Sequence, residues 1–276
     1  MTVQVVTGTG TEIGKTVVTA ALAAAALAAG RSVAVLKPAQ TGLLPGERGD
    51  ADEVARLAGP VTAAELARFP DPLAPATAAR RAGAAPVGPE EVAEAAAKLA
   101  TEHDLVLVEG AGGLLVRFDG RGNTLAEAAR LLAAPLLVVV PAALGTLNAT
   151  ALTSEAARAR GLELTGTVIG GWPEQPGLAE RCNTEDLAEA AGAPLLGAVP
   201  WGAGSLSPRR SGRLPEVAGP RAVRAVGRDG VPGDVGGGLN GCASRRTPVI
   251  RAAAPPTDGA RTSARSSRRA NGAARP

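Results

Sequence analysis

The 276-residue sequence predicts an α/β fold, a mainly parallel sheet flanked by helices on both faces. Three observations lead there. Short runs nearly continuous in Val, Leu and Ile recur at 3–7, 32–36, 104–108, 136–140, 165–169 and 195–199, as strands buried on both faces should. Helical patterns separate them, near 15–29, 51–58, 89–100, 124–133, 147–160 and 184–191, several opened by Pro, Asn or Thr and closed by Gly. The first strand also runs through a glycine-rich loop into an alanine-rich helix, which makes the fold class that of the P-loop NTPases.

That loop, Gly8-Thr9-Gly10-Thr11-Glu12-Ile13-Gly14-Lys15-Thr16, has a composition with a physical reason. Glycines let the backbone wrap a polyphosphate, so that successive N–H groups and the following helix N-terminus face the anion. Lys15 supplies a mobile cation and the Thr16 hydroxyl a ligand for magnesium. The strict spacing puts glycine at position 9, where this chain has Thr9, and Gly8 stands one residue early. A dinucleotide turn built from Gly8, Gly10 and Gly14 calls for an acid about 20 residues on, whereas the second strand runs into Lys37-Pro38. The apolar run at 17–29 is shorter than the roughly 18 residues of a membrane span and reads as a buried helix.

In a parallel sheet ligands sit at the carboxyl ends of the strands, so the loops after strands should carry the chemistry. After the second strand come Lys37-Pro38-Ala39-Gln40-Thr41-Gly42 and then Gly49-Asp50-Ala51-Asp52-Glu53 ahead of the 51–58 helix. The strand at 104–108 ends in Glu109-Gly110-Ala111-Gly112-Gly113. An acid at a strand end beside a phosphate loop is placed to share a hard cation with phosphate oxygens, and Asp50 is the second such acid. The plainer alternatives are a helix N-cap for Asp50 and a solvated acid for Glu109. The later strands are followed by Leu144-Gly145-Thr146-Leu147-Asn148, by Gly170-Gly171-Trp172-Pro173 and by Pro200-Trp201-Gly202.

Charge divides the chain. Residues 207–276 hold 14 Arg and 4 acids, which leaves 15 basic and 22 acidic residues in 1–206. The basic character therefore belongs to an Arg/Gly/Pro/Ser-rich tail, expected to be disordered or out of frame, and no nucleic-acid role is expected of 1–206. Two cysteines, Cys182 and Cys242, make neither a disulfide framework nor a zinc site and suit a reducing, cytoplasmic setting. His103 sits in a polar turn and the Arg80-Arg81 pair ends a helix. Both read as surface residues.

Taken in order, "VTGTGTEIGKT", "KPAQTG", "GDADE", "LVLVEGAGGLLV", "VVVPAALGTLN" and "VPW" resemble dethiobiotin synthetase over about residues 1–206. The resemblance implies an ATP-dependent cyclo-ligase that joins 7,8-diaminononanoate and CO2 with magnesium as cofactor. By that resemblance Glu12, Ile13, Gly14, Lys15, Thr16 and Val17 bind phosphate, and Thr16, Asp50 and Glu109 hold magnesium. Gly110, Ala111, Gly112, Gly170, Gly171, Pro200, Trp201 and Gly202 also line the nucleotide site. Lys37 and Lys15 are the catalytic lysines, while Thr11, Lys37, Thr41, Gly145, Thr146, Leu147 and Asn148 meet the diamine. The 145–148 loop does so across a homodimer interface. One departure stands out: many members carry a base-reading asparagine where this chain has Gly170-Gly171. Partition-type switch ATPases share the fold, but they carry an extra lysine early in the loop, and positions 9–11 here are Thr-Gly-Thr. A glutamine-dependent amidotransferase needs a Cys-His nucleophile pair that a single histidine in this chain does not suggest.

Overall fold

The computed structural model describes residues 2–205. The boundary at 206 and the basic tail beyond it lie outside the described residues. The elements in order are β1 (Thr2–Gly8), α1 (Lys15–Ala28), β2 (Val33–Thr41), α2 (Asp50–Ala58), β3 (Thr62–Phe69), α3 (Pro75–Ala82), α4 (Pro89–Glu102) and β4 (Leu105–Glu109). Then come α5 (Leu125–Leu131), β5 (Leu136–Val140), α6 (Thr146–Arg158), β6 (Leu164–Trp172), α7 (Leu178–Ala191), β7 (Leu195–Pro200) and a 3-10 turn at Ala203–Ser205. Seven strands form one sheet in the order β3-β2-β4-β1-β5-β6-β7, and every pairing is parallel.

The six strands expected from the sequence are all present, and a seventh was not foreseen. Strand β3, TAAELARF, lies at the edge and pairs only with β2. A strand with one neighbour and a half-exposed face needs no Val/Ile/Leu run, so it left no strong signal. The short helix α3, PATAARRA, is equally quiet because the residues it buries, Pro75, Ala78 and Ala79, are small. Helix α7 starts at Leu178, six residues before the start read from the pattern.

Strand β2 runs to Thr41 and so includes Lys37 and Gln40, which the sequence placed in a loop. Its pairing explains the extension. On one side β4 accompanies β2 only as far as Leu36, while on the other β3 stays paired from Ala34 to Thr41. Pro38, which has no N–H, therefore falls where β4 has already left the ladder, the position a strand proline tolerates.

The interior is built from small and branched aliphatic residues. Val138, Val139 and Val140 in β5 are fully buried, and Phe69, Phe118 and Trp172 are the buried aromatic residues among those described. Helix α1 presents Ala20, Ala23 and Ala24 to β2, β4 and the Val54-Leu57 face of α2. Alanines let these layers approach closely, and enlarging Ala23 in so tight a seam would cost about 1–3 kcal/mol. With all strands parallel, the ends of β1, β2 and β4 meet along one edge, and that edge carries the loops of interest.

Candidate functional site

Residues 9–14 turn from β1 into α1. Gly14 is left-handed at φ 90, and Glu12 takes φ 57, a conformation that few side chains adopt. The early glycine has a steric cause. A Cβ on Gly8 would stand 2.5 Å from Ile13 Cδ1 and 3.2 Å from the Val139 carbonyl oxygen, because the loop folds back over its own strand. The loop also rests on β6 backbone to backbone: a Cβ on Gly14 would lie 2.3 Å from the Gly170 oxygen, and one on Gly170 only 1.9 Å from the Ile13 oxygen.

Lys15 opens α1 and is 8% exposed, with its Nζ donating to the Gly10 carbonyl at 2.7 Å. Burial, joined by the charge of Lys37, lowers its pKa to about 8 against the pull of Glu109 and Asp50. An anion beside Nζ would raise that value again.

Beside this loop stands a buried ion cluster. Lys37 and Glu109 are 2% and 1% exposed, so their charges must satisfy each other. Lys37 Nζ lies 3.0 Å from Glu109 Oε1 and 2.5 Å from Asp50 Oδ2, and it donates to the Gly110 carbonyl at 3.1 Å. Burial pushes the Lys37 pKa down, yet Glu109 and Asp50 outweigh that, and the net shift is upward. The two carboxylates thus favour the ammonium form of Lys37. Thr16 Oγ1 donates to the same Glu109 oxygen at 2.9 Å. Asp50 is the first helical residue of α2 and Gly49 its N-cap, so the plainer reading of Asp50 as the cap does not hold.

This donor set fits magnesium. Glu109 Oε2 is buried and has no hydrogen-bond partner among the described residues, a costly state for a carboxylate oxygen that a cation relieves. Thr16 and Asp50 add a hydroxyl and a second carboxylate within the same cluster. Among the described residues no group of three His, Cys, Asp or Glu side chains could hold a metal unaided. Two carboxylates and a hydroxyl are the sparse oxygen set that magnesium takes when phosphate completes its shell.

The glycine turn after β4 packs against the phosphate loop. A Cβ on Gly113 would meet the Gly8 oxygen at 3.4 Å, one on Gly112 would meet Thr11 Oγ1 at 3.4 Å, and Gly112 is left-handed at φ 75. On the far side of the loop, Glu12, Ile13, Gly14 and Val17 share a cleft of about 480 Å³ with Gly170, Gly171, Pro200, Trp201 and Gly202. The Trp201 ring lies over Gly171, where a Cβ would come within 2.8 Å of Cε3, and the residue is 75% exposed. Trp201 N donates to the Trp172 carbonyl at 2.7 Å, tying the end of β7 to β6.

The structure gathers Thr11, Lys15, Thr16, Lys37, Asp50, Glu109 and Gly110–Gly112 around the ends of β1, β2 and β4, with Thr41 closing β2. Gly145–Asn148 stands apart, opening α6 beyond β5 on the other side of β1. Sequence reasoning missed Gln40, whose Oε1 accepts from Asp50 N at 2.8 Å. It also missed Pro141, Ala142 and Glu180, which line the cleft. The signal for Gln40 was a helix start whose cap, Gly49, has no side chain to offer. His103 bridges Thr62 Oγ1 at 2.8 Å and the Leu99 carbonyl at 2.9 Å, Arg81 pairs with Asp71, and Cys182 is exposed, so none of these joins the site.

Residues 3–209 match the family described as an AAA domain. Curated ATP-dependent dethiobiotin synthetases are close in sequence. That of Streptomyces coelicolor is 74% identical over 208 residues, covering 75% of this chain and 87% of its own length. That of Saccharopolyspora erythraea is 62% identical over 237 residues, covering 86% of this chain and 98% of its own. The cell division protein MinD of Aquifex aeolicus aligns with 84% of this chain and 99% of its own at 14% identity and a TM-score of 0.49, too remote to bear on activity. With a buried ammonium between two carboxylates beside its phosphate loop, the chain belongs to the ATP-dependent dethiobiotin synthetase family.

Proposed function

We propose that the chain closes the ureido ring of dethiobiotin from 7,8-diaminononanoate and CO2 at the expense of ATP, with magnesium. The observation that carries this reading is the Lys37 ammonium, held at 2.5 Å from Asp50 and 3.0 Å from Glu109 at the edge of the phosphate loop. One amine of the substrate adds to CO2 and loses a proton to give a carbamate. A carbamate oxygen then attacks the outer phosphorus of ATP, ADP departs, and a carbamic-phosphoric anhydride forms. The second amine attacks the carbonyl carbon of that anhydride, phosphate leaves, and the ring closes.

Each step gathers negative charge at one place, so fixed cations and backbone donors are the effective catalysts. Lys15 and the N–H groups of the loop and of the α1 start bind the outer phosphates. Lys37 projects from within β2, just past the last residue that β4 pairs, where a point charge on a flexible stem can follow the carbamate and the transferring phosphoryl group. Thr16, Asp50 and Glu109 would hold magnesium, which when bound neutralises phosphate oxygens. The cleft between Gly170-Gly171 and Trp201 takes the base.

The Gly145–Asn148 helix start would receive the substrate carboxylate of a second copy, since helix N-terminal N–H groups favour an anion. Leu144 and Leu152, 85% and 58% exposed beside it, support such a homodimer. No helix among the described residues is long and apolar enough to cross a membrane, and a cytoplasmic location belongs to this reading. The test is formation of dethiobiotin from diaminononanoate, bicarbonate, nucleotide and magnesium, with phosphate release requiring both the diamine and CO2. Hydrolysis stimulated by DNA, without dethiobiotin, would replace this reading with a partition-type switch ATPase.

A further inference from the structure

We infer that Gln40, backed by the Arg68–Glu65 pair of β3, is the positioning residue that aims the Asp50 carboxylate into the metal-phosphate cluster. The inference rests on the proposed role of Asp50 as a magnesium ligand.

Asp50 begins α2, and the first N–H groups of a helix need partners from outside it. Its N-cap, Gly49, has no side chain to supply one. Gln40, 5% exposed, meets that need from the end of β2: its Oε1 accepts the Asp50 N–H at 2.8 Å, and its Nε2 donates to the Thr41 carbonyl at 3.4 Å. The strand that carries Lys37 thus holds Asp50 twice, at the carboxylate and at the backbone.

Across the β2–β3 ladder Gln40 faces Arg68, and Lys37 faces Glu65. The Arg68 guanidinium is paired with both Glu65 oxygens, at 2.8 and 2.9 Å, and donates to the carbonyls of Leu44 at 3.2 Å and Glu47 at 2.6 Å. These bonds pin the exposed segment that leads into Asp50. All three side chains converge on one glycine: a Cβ on Gly49 would lie 2.9 Å from Arg68 Nη2, 2.9 Å from Glu65 Oε2 and 3.1 Å from Gln40 Oε1. The Asp50 side chain itself is 35% exposed, so beyond its contact with Lys37 its aim is set by the backbone that Gln40 and Arg68 fix. Groups that orient metal ligands in this way typically change metal affinity by about 10–100-fold when lost.

The test measures the magnesium concentration that half-saturates ATP binding by calorimetry, without diamine, together with the melting temperature. Gln40→Met keeps the shape and removes the acceptor, and should raise that concentration about tenfold. Gln40→Glu keeps an acceptor and should stay near the parent. In an Asp50→Asn background, Gln40→Met should add nothing, because its effect passes through Asp50. The inference is overturned if Gln40→Met lowers only the melting temperature, or if its effect adds in full to that of Asp50→Asn. Should Asp50→Asn itself leave the magnesium requirement unchanged, the ligand assignment falls and this inference with it; a normal Gln40→Met beside an impaired Asp50→Asn sinks the positioning role alone.

Discussion

Gly170→Ala tests the seating of the phosphate loop, because it adds one methyl group at the contact between the loop and β6. The new carbon would start 1.9 Å from the Ile13 carbonyl oxygen, 2.8 Å from Val139 Cγ1 and 3.0 Å from the Ile13 carbonyl carbon. Real Cβ atoms do not approach closer than 3.0 Å, so the loop must retreat from β6 by about 1.1 Å, the difference between 3.0 and 1.9 Å. The two Ile13 atoms are backbone and cannot swing aside, and Val139 is fully buried. Overpacking of this kind costs about 1–3 kcal/mol, and a shift near 1 Å at a binding loop costs about a hundredfold in productive geometry. We expect a loss of nucleotide affinity of about 10–100-fold, read by calorimetric titration with magnesium-ATP, with kcat/KM falling at least as far. Gly171→Ala is the control: its methyl group would meet the Trp201 ring, an exposed side chain free to move, and affinity should change by less than about fivefold, the size of 1 kcal/mol. A Gly170→Ala protein that binds nucleotide like the parent would refute the contact on which the loop is seated here.

Lys37→Gln should lower kcat by about a hundredfold, with nucleotide affinity little altered, since the ammonium meets charge that grows during transfer; loss of affinity at unchanged kcat would contradict that role. Glu109→Gln should raise the magnesium requirement and remove most turnover, and near-normal turnover at low magnesium would show that the ligand is elsewhere. Base selectivity should be weak: apart from the carboxylates of Glu12 and Glu180 and the Trp201 indole, the cleft offers backbone and apolar side chains. A kcat/KM preference for ATP over GTP and CTP above about a hundredfold, the work of two good hydrogen bonds, would overturn it. In α5, Glu127 accepts from Thr124 N at 2.7 Å and Thr124 Oγ1 at 2.6 Å, and Ala126 N donates to Thr124 Oγ1 at 3.2 Å. Burial raises the Glu127 pKa, but the Thr124 bonds outweigh it and leave the value lowered. Its stabilisation is therefore complete above the ordinary glutamate pKa and fades as pH falls through the lowered one. Thr124→Ala should cost about 1 kcal/mol at neutral pH, and less in acid, by urea unfolding; an equal loss at both pH values would discount the pair.

Legibility followed burial. Strands β1, β2 at its start, β4, β5, β6 and β7 lie inside the sheet or bury both faces for most of their length, so each announced itself as an apolar run. Edge strand β3 did not, since TAAELARF has a half-exposed face to satisfy and one neighbour to pair with. That omission hid more than a strand. The partner of Gln40 and the far wall of the Asp50 loop are Arg68 and Glu65, and without β3 neither had a place beside the site.

The site divides in the same way. Lys15, Thr16, Lys37, Asp50 and Glu109 could be singled out because each follows an apolar run of the sequence among residue types that match phosphate and hard-cation chemistry, although Lys37 and Glu109 lie within β2 and β4 and the other three open helices. The sequence could not show that Lys37 touches both acids at once, because that depends on β2 lying beside β4 in an order that skips β3 in the chain. Nor could it show why residue 170 is a glycine. With the loop seated as it is, any side chain at 170 starts inside the Ile13 carbonyl. The glycine is set by packing, and the weak base reading expected of this cleft is a consequence of how closely the loop and β6 meet.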